Sequence, residues 1–213
     1  MRKLPVYLLI DVSGSMYGEP IESTRLGIQT LHKSLRQEPQ AMEMGFLSVI
    51  TFESVVKQAV PLTEVSRFQP PELEASGGTS LGEALKFVTQ CAQREVQTSS
   101  PDRKGDFKPM VFIMTDGMPT DDVDSGLREF QSYKWGIVVA CAAGPDADVS
   151  VLQKIAGPNV LYMANTDSNS FKAFFKYVTT SIVTSSKKVD AGSQPGELSE
   201  LPPPPPEISL VKI

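Results

Sequence analysis

Short apolar runs alternate with amphipathic stretches along most of the chain. "PVYLLI" (5–10) is continuously apolar, the pattern of a parallel strand buried on both faces. From Ile21 onward, Ile28, Leu31 and Leu35 recur at helical spacing. "FLSVITF" (46–52) and "VVKQAV" (55–60) flank a Glu-Ser turn and predict a hairpin that includes an antiparallel edge strand. After a proline-containing loop, Leu81, Ala84, Leu85, Val88 and Cys91 mark one face of a second helix. "PMVFIMTD" (109–116) predicts another buried strand, "GLREFQSY" a helix, and "WGIVVACAAG" (135–144) a third central strand. A short helix near 148–156, a strand "NVLYMA" (159–164) and a last helix follow, the last with Phe171, Phe175, Val178 and Ile182 on one face.

Strands alternating with helices predict an α/β fold: a mainly parallel central sheet, one antiparallel edge strand, and helices on both faces. The periodic pattern stops near residue 186, which predicts one domain over 1–186. Residues 187–213 are polar and then proline-rich, and are expected to form a flexible tail. Prolines 202 to 206 favour polyproline II, and the closing "ISLVKI" is apolar again. Two readings of this tail stand open: a solvated linker, or a segment that docks as a strand or fills a groove on a partner.

Composition narrows the function classes. Of 213 residues, 40% are hydrophobic, and the net charge is -5 with no basic cluster, so nothing points to nucleic acid. Cys91 and Cys141 lie in apolar surroundings and read as buried thiols of a reducing compartment. His32, the only histidine, sits among polar neighbours on a predicted helix and is expected to be solvated. A zinc site built on histidines and a Ser-His-Asp triad are therefore both disfavoured. The start "MRKLPVYLLIDV" has a charged head, but its apolar run is short and ends at Asp11, unlike a signal peptide. No run has the length of a membrane span, and the chain reads as cytoplasmic.

The chemistry concentrates where strands end. "LLIDVSGSM" closes the first strand with Asp11, followed by Ser13 and Ser15 at alternate positions. Asp116 closes a later strand, and "SGGTSLGEAL" sets Thr79 in a glycine-rich turn at a helix start. In an open α/β sheet the carboxyl ends of the strands form the ligand rim, so this topology gathers Asp11, Ser13, Ser15, Thr79 and Asp116. Two carboxylates and three hydroxyls, without nitrogen or sulfur, suit a hard divalent ion: Mg2+ first, Mn2+ or Ca2+ behind it. Each motif also has a plain structural reading. Asp-x-Ser-Gly-Ser makes turns, Ser80 and Glu83 have capping-box spacing, and Thr120 could cap a helix.

At these residues the sequence resembles the von Willebrand factor type A (VWA) domain family. "DVSGSM" matches its DxSxS motif, "GGT" its threonine loop and "MTDG" its distal aspartate, in the family's order. The resemblance covers roughly residues 4 to 185. It implies a Rossmann-like three-layer fold and a metal-ion-dependent adhesion site (MIDAS). Ser13, Ser15 and Thr79 would be the hydroxyl ligands there, with Asp11 and Asp116 ligating directly or through water. A Glu or Asp of a protein partner would complete the coordination. Met16, Tyr17, Gly18 and residues 118 to 122, including Met118, Pro119 and Asp121, are expected to border that contact.

Within the family, "MRKLPVYLLIDVSGSM", "GEPI" and "GGTSLGEAL" look most like the stand-alone bacterial members linked to tellurium resistance, the TerY type. That likeness implies a stress-response role beside a kinase and a phosphatase. Two other classes are weighed against it. One is a Mg2+-dependent phosphohydrolase with Asp11 as nucleophile, which lacks the second acid where Ser13 stands. The other is a metal-independent scaffold that binds through its tail.

Overall fold

The computed structural model describes residues 2–190 and 201–211. Among these residues, seven strands form one sheet: β1 (Leu4–Asp11), β2 (Gly45–Phe52), β3 (Val56–Glu64), β4 (Met110–Thr115), β5 (Ile137–Ala143), β6 (Val160–Met163) and β7 (Ser209–Leu210). Six helices accompany them: α1 (Glu19–Leu35), α2 (Pro39–Met44), α3 (Leu81–Glu95), α4 (Val123–Ser132), α5 (Val149–Ala156) and α6 (Ser168–Asp190). The strand order is β3-β2-β1-β4-β5-β6-β7. The contacts β2–β1–β4–β5–β6 are all parallel, and β3 pairs antiparallel with β2, as the hairpin pattern predicts.

Strand alternation divides the core into two layers. Leu4, Val6, Leu8 and Ile10 of β1 face one way, against Ile28 and Leu31 of α1 and Phe171, Phe175 and Val178 of α6. Tyr7 and Leu9 face the other way, against Leu81, Leu85 and Val88 of α3, Phe130 of α4 and Leu152 of α5. Every residue of β1 is buried, which explains why its sequence lacks a polar face. Among the described residues, no helix is long and apolar enough to cross a membrane.

Three expectations need correction. Residues 201–211 are not a free tail. Ser209 and Leu210 pair antiparallel with Tyr162 and Leu161, the Val211 amide donates to the Val160 carbonyl at 2.9 Å, and Ile208 is buried in the core. The apolar terminus thus closes its own sheet edge, giving a second antiparallel edge that composition alone did not reveal. The expected boundary at 186 falls inside α6, which runs to Asp190; residues 191–200 of the expected tail lie outside the described residues. His32 is not simply solvated: its Nε2 lies 2.9 Å from the Val65 carbonyl oxygen, and its ring meets Phe68 edge-on at 5.2 Å. The short helix α2, opened by Pro39, is an element the sequence pattern missed.

The α3–α4 crossing depends on two glycines. A Cβ on Gly126 would lie 2.0 Å from the Gly82 carbonyl oxygen, and a Cβ on Gly82 would lie 2.4 Å from the Asp122 carbonyl oxygen. Gly126→Ala should therefore destabilise, although alanine is the better helix former by about 1 kcal/mol. Forcing these backbones apart is expected to lower stability by a net ~2 kcal/mol, within the overpacking range. Urea unfolding tests this: the midpoint should fall with the slope unchanged, and an unaltered or raised midpoint would contradict it.

Candidate metal centre

Parallel pairing fixes the centre's position. β1 and β4 are neighbours, and the chain runs outward from β1 to β2 on one side and reaches β4 on the other. Asp11 is the last residue of β1, and Asp116 directly follows β4. The two carboxylates thus stand on adjacent strand ends at the point where the strand order reverses, the usual ligand crevice of such sheets.

Asp11 is fully buried, and both of its oxygens are engaged. Oδ1 accepts from the Ser13 amide at 2.8 Å, and Oδ2 accepts from the buried Thr115 hydroxyl. A 3-10 turn over Gly14–Met16 then lifts the chain toward solvent. Ser13 stays buried, Ser15 is exposed, and their hydroxyl oxygens lie 3.0 Å apart. The Ser15 hydroxyl donates to Asp116 Oδ1 at 2.7 Å. A chain of oxygen atoms therefore links the two strand ends.

Thr79 joins from a third segment. The Gly14 amide donates to the Gly77 carbonyl, and the Ser76 amide to the Val12 carbonyl, tying this loop to the one after β1. Thr120 grips the Thr79 backbone from the other side: its amide donates to the Thr79 carbonyl at 2.9 Å, and its hydroxyl accepts from the Thr79 amide at 3.1 Å. The backbone is thus fixed, while the Thr79 hydroxyl makes no hydrogen bond among the described residues although the residue is only 5% exposed. That oxygen is not sealed from solvent, since among the described residues the buried side-chain oxygen without a partner is Thr51 Oγ1, so the Thr79 hydroxyl stays available on the rim as an oxygen ligand. Gly117 leaves the space beside it: a Cβ there would lie 3.3 Å from Thr79 Oγ1 and 3.9 Å from Ser15 Oγ.

Electrostatics point the same way. Burial pushes the Asp11 carboxyl above its ordinary pKa, against the hydrogen bonds from Ser13 and Thr115, and the neighbouring Asp116 adds to the rise. Asp116 is also raised, first by burial and further by Asp146, against the Ser15 hydrogen bond. Both acids therefore resist ionisation in the protein alone, and a cation between them would remove the penalty. No group of three or more His, Cys, Asp or Glu side chains fit for a metal occurs among the described residues, so hydroxyls must complete any ligand set. The five residues Asp11, Ser13, Ser15, Thr79 and Asp116 fit an oxygen-seeking divalent ion.

The expected contact residues divide. Tyr17 and Met118 are 81% and 65% exposed, Gly18 is exposed with φ 90°, and Pro119 is half-buried. Met16 is corrected: it is fully buried in the core beneath the 3-10 turn. Asp121 is corrected as well. Its two carboxylate oxygens accept from the Gly82 and Glu83 amides at 3.0 and 2.8 Å, capping α3 from a distant loop. That cap replaces the expected Ser80–Glu83 box, since Ser80 makes no side-chain cap. Asp122, not Thr120, caps α4 by accepting from the Ser125 amide. Sequence reasoning misses Thr115 and Gly117, although both lie inside the "MTDG" motif; Thr120 falls within the expected 118–122 border, but its clasp on the Thr79 backbone is a contact across the fold that no local pattern shows.

Comparison with known proteins agrees with this fold. A structure of proximal thread matrix protein 1 from the mussel byssus, with a zinc-occupied MIDAS motif, superposes with a TM-score of 0.62 at 19% identity, covering 84% of this chain and 48% of that one. A von Willebrand factor type A structure from Catenulispora acidiphila gives a TM-score of 0.64 at 16% identity, over 85% of this chain and 43% of that one. Matrilin-1 of Bos taurus is 28% identical over 166 residues, 73% of this chain but only 28% of matrilin-1. The chain thus spans less than half the length of each of these relatives. The von Willebrand factor type A domain model matches residues 6–177, and with the three-layer sheet and its rim of strand-end acids this places the chain in the VWA domain family.

Proposed function

We propose that this protein is a metal-dependent protein–protein interaction module. Asp11, Ser13, Ser15, Thr79 and Asp116 would hold Mg2+, with Mn2+ or Ca2+ also compatible with oxygen ligands. When bound, the ion supplies an electrophilic centre that captures a Glu or Asp side chain of the partner protein. The convergence of the Asp11 and Asp116 carboxylates with the Ser13, Ser15 and Thr79 hydroxyls around adjacent strand ends carries this reading. The mussel protein's zinc-occupied MIDAS motif supports a divalent ion at such a rim.

A phosphohydrolase is the weaker reading. An attacking Asp11 would need a free oxygen facing substrate, yet the residue is fully buried and both oxygens accept hydrogen bonds. Binding through the tail also loses ground, because residues 208–211 are engaged with the chain's own sheet and core. The resemblance of the first sixteen residues and of "GEPI" and "GGTSLGEAL" to the TerY type supports a bacterial, cytoplasmic stress-response setting. A kinase or phosphatase of a tellurium-resistance system would then be the partner. Affinity capture in Mg2+ and in EDTA, with Asp116→Ala as control, tests this. Proteins lost in both EDTA and the variant are rim partners, and retention of the same proteins in all three refutes the reading.

Metal linkage gives a second test. A carboxyl raised in the folded state binds its proton more tightly there than in the unfolded chain. The metal-free protein therefore loses stability as pH rises from the unfolded carboxylate value, about 3.9, through the raised folded value. A cation needs the ionised form, so stabilisation by Mg2+ should grow across that window. At one hundred times its Kd the ion should add about 2.7 kcal/mol, or roughly 5–10 °C in Tm. Asp11→Asn should be at least as stable as wild type in EDTA at neutral pH and should gain nothing from Mg2+. Thermal unfolding with and without the ion reads both effects, and equal shifts in wild type and variant would contradict the assignment.

A further inference from the structure

Exposed apolar side chains are distributed unevenly. Tyr17, Val55 and Met118 are 81%, 63% and 65% exposed, more than any other large apolar residue among the described ones; Leu26 and Leu210 show less. All three stand on loops at the metal rim. Tyr17 is two residues beyond Ser15, and Met118 is two residues beyond Asp116. Val55 lies in the β2–β3 turn, which the pairing of Phe52 with Asp11 brings level with the end of β1. That turn touches the threonine loop directly: the Ser54 hydroxyl accepts from the Gly78 amide at 2.9 Å, and the Glu53 carbonyl accepts from the Ser80 amide at 2.8 Å. The three apolar side chains are thus carried by loops that meet around Thr79.

The charge of these loops is one-sided. Segments 12–18, 53–55, 72–80, 116–122 and 144–148 contain Glu53, Glu72, Glu74, Asp116, Asp121, Asp122, Asp146 and Asp148, and no Lys, Arg or His. Asp121, Asp122 and Asp148 are tied to helix N-termini, whose dipoles offset part of their charge. Glu72, Glu74 and Asp146 are exposed and Glu53 half-exposed, without such a cap. A divalent ion neutralises only the centre, leaving an acidic outer ring.

We propose that this rim binds a basic protein segment: one Asp or Glu for the metal, apolar residues beside it to cover Tyr17, Val55 and Met118, and Lys or Arg farther out to meet Glu53, Glu72, Glu74 and Asp146. The proposal rests on the metal-capture reading and adds the partner's chemistry to it. Apolar cover supplies affinity, and the outer charges supply orientation and association rate.

A random peptide library displayed against the full chain in Mg2+, with an unrelated protein as background, tests this. Enriched peptides should share one acidic residue with apolar neighbours and an excess of Lys and Arg. For a synthetic copy of an enriched peptide, fluorescence anisotropy should show Tyr17→Ser and Met118→Ser each weakening binding about tenfold. Val55→Ser should weaken it less, and added salt should weaken wild-type binding. Each serine variant should keep the Mg2+-dependent rise in Tm, which separates a lost docking surface from a lost metal site. Enrichment of acidic or uncharged peptides, no enrichment above background, or unchanged affinity in all three variants would overturn the proposal. Loss of binding in the serine variants that persists in EDTA and in Asp116→Ala would leave the docking surface standing and refute metal capture instead.

Discussion

Two buried carboxylates on neighbouring strand ends set the terms for the rest of the molecule. Parallel pairing of β1 with β4 brings Asp11 and Asp116 together, and burial raises the cost of ionising either. Such a pair destabilises a fold unless the charge is shared, protonated or matched by a cation. The surrounding loops do not neutralise it with a lysine or arginine. They bring hydroxyl oxygens instead, which can donate to a carboxylate or accept from a protonated carboxyl but add no charge. A rim built this way is poised for an ion that carries its own charge to the site.

Holding that rim open requires rigidity in the loops, and the chain obtains it from backbone contacts between segments far apart in sequence. Thr79 is clasped by Thr120, the loop after β1 is bonded to Gly77, and Asp121 anchors the start of α3. The same stretch, 116–122, therefore supplies an acid to the centre, fixes the threonine loop and caps a helix. The close approach of Gly82 and Gly126 lets α3 and α4 sit near enough for this to happen. The α3–α4 packing that begins three residues after Thr79 is thus part of what positions the rim's oxygen atoms.

Much of this was legible in the sequence because it depends on local order. A continuous apolar run ending in an acid marks a buried strand and its rim, and five oxygen-bearing residues follow from three such signals. What stayed hidden depends on contacts across the fold. Asp121 looks like a loop acid until α3 is placed beside it, and Met16 looks exposed until the 3-10 turn folds it inward. Residues 201–211 have the composition of a linker, yet Ile208 finds the core and Leu210 finds Leu161. A two-residue strand has no pattern of its own; only an available sheet edge gives it a partner.

The two ends of the sheet differ in how far their polar groups are matched within the chain. At the amino end of β1, the polar groups satisfy one another. Asp106 accepts from the Lys3 and Gln97 amides, Arg2 donates to the Gly105 carbonyl and lies over the Phe107 ring, and the Tyr7 hydroxyl and the Gln58 amide converge on Glu95. Cations, acids and aromatic faces are matched there within the chain. The carboxyl end keeps two acids that burial raises above their ordinary range, and three exposed apolar side chains. The same chain therefore matches its charges at one end of the sheet and gathers like charges at the other, the arrangement that a cation or a basic surface would complement.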